Sequence, residues 1–70
     1  MNLNQVTVYS DKTVETVEFF EKLGLRRIVD SLPRYARLEC PDGDATLSVN
    51  ELGPHTPINN LILYFECDDL

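Results

Sequence analysis

Few residues in this 70-residue chain have the chemistry of a reaction centre. His55 is the only histidine, and Pro54 and Pro57 put it in a loop, where a solvated ring is the ordinary outcome and an acid, base or ligand the exception. Cys40 and Cys67 each lie in an apolar, strand-like run without C-x-x-C spacing, so both read as buried free thiols. Glu66 has the same period-two parity as Tyr64; burial would make it a general base with a raised pKa, whereas a strand-end position makes it an ordinary solvated carboxylate. Arg26, Arg27, Arg34 and Arg37 cluster mid-chain, where they could meet an anionic substrate or form surface pairs worth under about 1 kcal/mol each. The sequence contains no glycine-rich phosphate loop, Ser/His/Asp triad or repeated Cys/His spacing.

Composition narrows the partners. Six Lys and Arg against twelve Asp and Glu give a net charge of −6, which repels a polyphosphate backbone, so nucleic acid is not expected. No stretch is apolar enough for a bilayer span or a signal peptide, and a cytoplasmic protein without a membrane partner is expected. A chain this short makes one domain at most and buries only about 60% of its unfolded surface.

The elements that position these side chains follow from periodicity. From Leu3 to Ser10, Val6 and Val8 alternate with Gln5, Thr7 and Tyr9, which predicts a strand with one apolar and one mixed face. Asp11, Lys12 and Thr13 begin a helix, with Glu15 and Glu18 near its positive end. Val14, Val17, Phe20 and Leu23 form an apolar stripe at three-residue spacing, and Gly24 stops the helix after Leu23. Three strands are then expected, Leu25 to Ser31, Tyr35 to Cys40 and Ala45 to Glu51. Pro33 separates the first two, and Pro41-Asp42-Gly43-Asp44 turns the last two into a hairpin. A breaker-rich linker, about residues 53–59, leads to a last apolar run from Leu61 to Cys67.

That last run repeats the first. An offset of 57 residues (62 − 5) sets Val6 on Leu63, Val8 on Phe65 and Asp11 on Asp68, so a second module opening with this strand is expected. Leu61, Leu63 and Phe65 then form an apolar face with no second helix to cover it, and burying each is worth roughly 1.5–3 kcal/mol. The sequence therefore leads one to expect a partial chain or pairing with a second copy.

Three stretches carry a resemblance to a known family: Val17-Glu18-Phe19-Phe20-Glu21-Lys22-Leu23-Gly24-Leu25, the hairpin from Tyr35 to Ser48, and Ile62-Leu63-Tyr64-Phe65-Glu66-Cys67-Asp68-Asp69-Leu70. They resemble the vicinal oxygen chelate superfamily of glyoxalases, bleomycin-resistance proteins and extradiol dioxygenases. The resemblance implies an α+β fold in which the chain is the N-terminal part of a single domain: a βαβββ module at about residues 1–52, then the first strand of a second module at about 60–67. It also implies a concave pocket lined by Gln5, Thr7, Tyr9, Thr46, Ser48, Ile62, Tyr64 and Glu66, with Val6, Val8, Leu63 and Phe65 facing helices.

Many such proteins hold a divalent metal that polarises adjacent substrate oxygens. The matching ligand positions here are Gln5, Thr46 (or Ser48) and Ile62; only Gln5 is a recognisable donor, and a hydrocarbon side chain cannot coordinate a cation. The resemblance thus favours a metal-free, homodimeric small-molecule binder with no cofactor. Its alternatives are a metal-dependent enzyme, such as a glyoxalase I-like lyase, an isomerase or a dioxygenase, and a non-catalytic interaction module.

Overall fold

A computed structural model describes residues 1–54, 56 and 62–65. It is an α+β arrangement in the order β1 (Gln5–Ser10), α1 (Thr13–Lys22), β2 (Arg26–Ser31), β3 (Tyr35–Glu39) and β4 (Thr46–Glu51). The strands form one mixed sheet in the order β1-β4-β3-β2. β4 lies parallel to β1 on one side and antiparallel to β3 on the other, and β2 is antiparallel to β3.

Local chemistry accounts for each corner. Gly24 adopts φ +111°, its N–H donates to the Glu21 carbonyl and that of Leu25 donates to the Phe20 carbonyl. This is a Schellman stop, which a residue with a Cβ would resist. The motif turns Leu25 into the core, where it is buried against the same cluster as Phe20. At the other end of α1 no side chain caps the helix; the Ser10 hydroxyl instead accepts the Lys12 N–H at 2.9 Å and lies 2.8 Å from that of Thr16. Gly43, at φ +87°, completes the turn between β3 and β4, where the Cys40 N–H donates to the Ala45 carbonyl. Ser31 to Arg34 turn around a cis Leu32–Pro33 bond, with the Arg34 N–H donating to the Ser31 carbonyl at 3.0 Å.

The core lies between α1 and one face of the sheet. Val17, Leu25, Ala36, Leu38, Leu47 and Val49 are buried there, with Val6, Val8, Phe20, Leu32, Cys40 and Leu63 packed at its margin. The helix stripe is narrower than its spacing suggests: Val17 is buried and Phe20 half-buried, but Val14 and Leu23 are 40% and 54% exposed. Each three-residue step falls about 60° short of a full turn, so three steps carry the stripe about halfway round the helix. The inward face is completed by Thr13, whose buried hydroxyl donates to the Pro33 carbonyl at 2.8 Å.

The cover expected to be lacking at Leu63 and Phe65 is present in part. Leu63 packs against the core, and the ring of Phe65, 47% exposed, lies 6.0 Å from that of Phe20. The single helix side thus covers part of what a second helix was expected to cover. Residues 62–65 join no strand ladder; Leu61, Glu66 and Cys67, the rest of the expected last strand, lie outside the described residues, as does His55. Among the described residues, no helix is long and apolar enough to cross a membrane.

Candidate functional site on the open face of the sheet

Alternation puts opposite chemistry on the two sides of the sheet. On the helix side the aligned positions are Val6, Leu47, Leu38 and Arg27 in one row and Val8, Val49, Ala36 and Asp30 in the next. On the other side the register builds three rows across all four strands. Gln5, Thr46, Glu39 and Arg26 form the first; Thr7, Ser48, Arg37 and Val29 the second; Tyr9, Asn50, Tyr35 and Ser31 the third. An irregularity between Arg27 and Val29 breaks the strict alternation of β2, so Arg26 and Val29 both reach the open side.

No helix or strand of the described residues packs on this side, and its side chains are mostly short and polar. Three of the twelve are charged, Arg26, Arg37 and Glu39; eight are short neutral hydrogen-bonding groups or tyrosines. Exposed sheet faces ordinarily carry polar residues, neutral as well as charged. Ser48 is buried although α1 lies on the opposite side, and its hydroxyl donates to the Asn50 Oδ1 at 2.6 Å. That bond fixes the amide so that its NH₂ group remains a donor. Arg26 forms an ion pair with Glu39. Arg37 is half-buried, makes no ion pair or hydrogen bond among the described residues, and its Nε is sealed from solvent without an acceptor.

The register brings together five of the eight expected pocket residues, Gln5, Thr7, Tyr9, Thr46 and Ser48. It does not bring in Ile62 or Tyr64, which lie outside the sheet and are 75% and 90% exposed; Glu66 lies outside the described residues. Arg37, Asn50 and Tyr35 join the same face. Their signal was available, because Ala36 and Leu38 on β3, and Leu47 and Val49 on β4, dictate which parity faces away from the core. Cys40 is a part-buried free thiol, beside an open groove of about 310 Å³ lined by Gly24, Arg26, Glu39, Cys40 and Pro41.

The remaining charged network belongs to the helix side. Arg27 bridges Glu21 of α1 at 2.7 Å and Asp30 of β2 at 3.1 Å. These bonds, Glu21 first, hold the guanidinium pKa above its ordinary value. The Asp30 carboxyl is held below its ordinary value, first by the Leu32 N–H and then by Arg27.

The donor set fits a resident metal poorly. Gln5 is aligned with Thr46, a hydroxyl that is a weak neutral donor, and the third matching position is the hydrocarbon Ile62. Among the described residues no group of three His, Cys, Asp or Glu side chains converges. Comparison of the chain with family models, with curated proteins and with solved structures returned no match in any of the three.

Proposed function

We propose that this chain is a glyoxalase/bleomycin-resistance-like protein that binds a small molecule on the open side of its sheet without using a metal. The observation that carries the reading is the three-row face itself. Neutral donors and acceptors with two tyrosines stand on a rigid sheet, opposite the side that carries the core. Such a surface suits a ligand of mixed polarity, because tyrosine offers an apolar ring with a polar tip and the hydroxyl and amide groups fix orientation. A βαβββ order with its helix on one side is also what the family resemblance implies, and pairing of two such chains would supply the facing wall of a pocket.

Amide chemical-shift mapping of a small-molecule fragment screen tests the proposal. Binding fragments are expected to perturb Thr7, Tyr9, Thr46, Ser48 and Asn50 together. Perturbations confined to α1 and the core side would overturn it. Metal analysis after dialysis tests the metal-free part: stoichiometric zinc, nickel, manganese or iron that is lost on Gln5→Ala would replace this reading with the metal-dependent one.

A further inference from the structure

We infer that the ligand of the open face is an anion, a small carboxylate or phosphate monoester carrying a flat apolar group, and that Arg37 is its anchor. The inference rests on the small-molecule reading above and adds the class of molecule. Its basis is an imbalance of charge on a face that the rest of the protein would make repulsive to anions. The chain as a whole carries −6, yet the three charged side chains of this face are two arginines and one glutamate. Glu39 is engaged by Arg26, which leaves Arg37 as the cation of this face that no carboxylate of the face pairs with.

The surroundings of Arg37 match what an oxyanion needs. Its planar fork offers parallel N–H donors, and its Nε lies shut from solvent without an acceptor. Thr7 stands on the other side of Ser48 in the same row, with neighbouring strands about 4.8 Å apart, and Asn50 stands one row along, about 7 Å away, with its NH₂ free to donate. Ser48 has committed its proton to Asn50 and has none left for the anion, so the donors are Arg37, Thr7 and Asn50. Tyr9 and Tyr35 flank Asn50 in the third row, where their rings offer contact to a flat apolar group. The competing candidate, the groove beside Cys40, contains the self-neutralised Arg26–Glu39 pair and has no spare charge to recognise an ion.

Titration of the full chain with phenyl phosphate and with phenol, at constant ionic strength and followed by amide and arginine Nε–H resonances, tests the inference. Phenyl phosphate should shift Thr7, Arg37, Ser48 and Asn50, and phenol should bind at least about tenfold more weakly, since a charge-assisted fork discriminates strongly. Arg37→Gln should weaken phenyl phosphate binding at least about tenfold, and Arg26→Gln by less than about twofold, because an exposed, already paired cation contributes little. Equal binding of phenol and phenyl phosphate on this face, or an unaltered affinity in Arg37→Gln, removes the anion inference while leaving the small-molecule reading intact. Shifts on α1 alone, or none with either probe, remove both. Should Arg37→Gln fail to fold, Arg37→Lys decides the matter: it keeps the charge and the apolar stem but loses the planar fork, so phenyl phosphate should bind more weakly while phenol is unaffected, and an unchanged phenyl phosphate affinity counts against the inference.

Discussion

The two sides of one sheet obey the same backbone rule and have opposite fates. The helix side gathers Leu38, Leu47, Val49 and Ala36 beneath Val17, so its energy is that of removing hydrocarbon from water. The open side gathers hydroxyls, amides and Arg37 on the same four strands. Their contribution to folding is small, because each group exchanges a bond with water for one with its neighbour. The contrast teaches that the sequence of β3 and β4 is constrained by stability at alternate positions and, between them, carries polar groups that the core does not require.

The strongest way to break this comparison is to substitute one residue on each side. Leu38 is fully buried at the centre of the core, and Leu38→Ala should cost about 2–5 kcal/mol through lost transfer energy and the cavity left behind. A chain this size has a total stability of roughly 4–10 kcal/mol, so the variant should lose about half of it. Thr7→Val, in the second row of the open side, should change stability by no more than about 0.5 kcal/mol. Urea denaturation of both variants measures the pair. Comparable losses from the two substitutions would mean that the open side is a second core and not a recognition surface.

Gly24 sharpens the comparison at the corner that sets the phase of β2. A Cβ there would meet the Pro41 Cγ at 3.8 Å, an ordinary contact, but at φ +111° the conformation itself is strained for any L-residue. Gly24→Ala should therefore cost about 1–2 kcal/mol, less than Leu38→Ala and without loss of the fold. A stabilised variant, by the same denaturation assay, would show that the Schellman stop does not determine how Leu25 and Arg26 divide between the two sides.

Much of this division was legible along the chain. Val6 and Val8, Ala36 and Leu38, and Leu47 and Val49 each state a parity that the structure keeps, and Gly24 and Pro41 to Asp44 mark turns by conformational necessity. What remained hidden depends on distant partners. No local signal pairs β1 with β4, so the alignment of Thr7 with Ser48, and through it with Arg37, had no expression in the sequence near either residue. The irregularity after Arg27 likewise reassigns sides within β2 where strict alternation would not. Val14 and Leu23 misled because hydrophobic spacing of three fits a helix locally and drifts away from its buried line over three turns.

The smallest expected effect lies at the border of the core side, where Arg27 ties α1 to β2 and Asp30 closes the network. Asp30 accepts the Leu32 N–H at 3.2 Å and an Arg27 N–H at 3.1 Å, and both favour its ionised form, lowering its pKa below the ordinary 3.8. The unfolded chain therefore binds this proton more readily than the folded one, and stability rises with pH across the interval between the two pKa values. The contribution is complete above 3.8 and is lost as pH falls through the lower, folded value. Because the side chain is 57% exposed, salt should screen it. Denaturation curves of the wild-type chain and Asp30→Asn, taken from neutral pH into acid, should converge at the acid end, with a smaller gap at high ionic strength. A gap that stays constant through acid would show that Asp30 acts by its hydrogen-bonding shape and not by its charge, and would leave the border between the two sides of the sheet to packing alone.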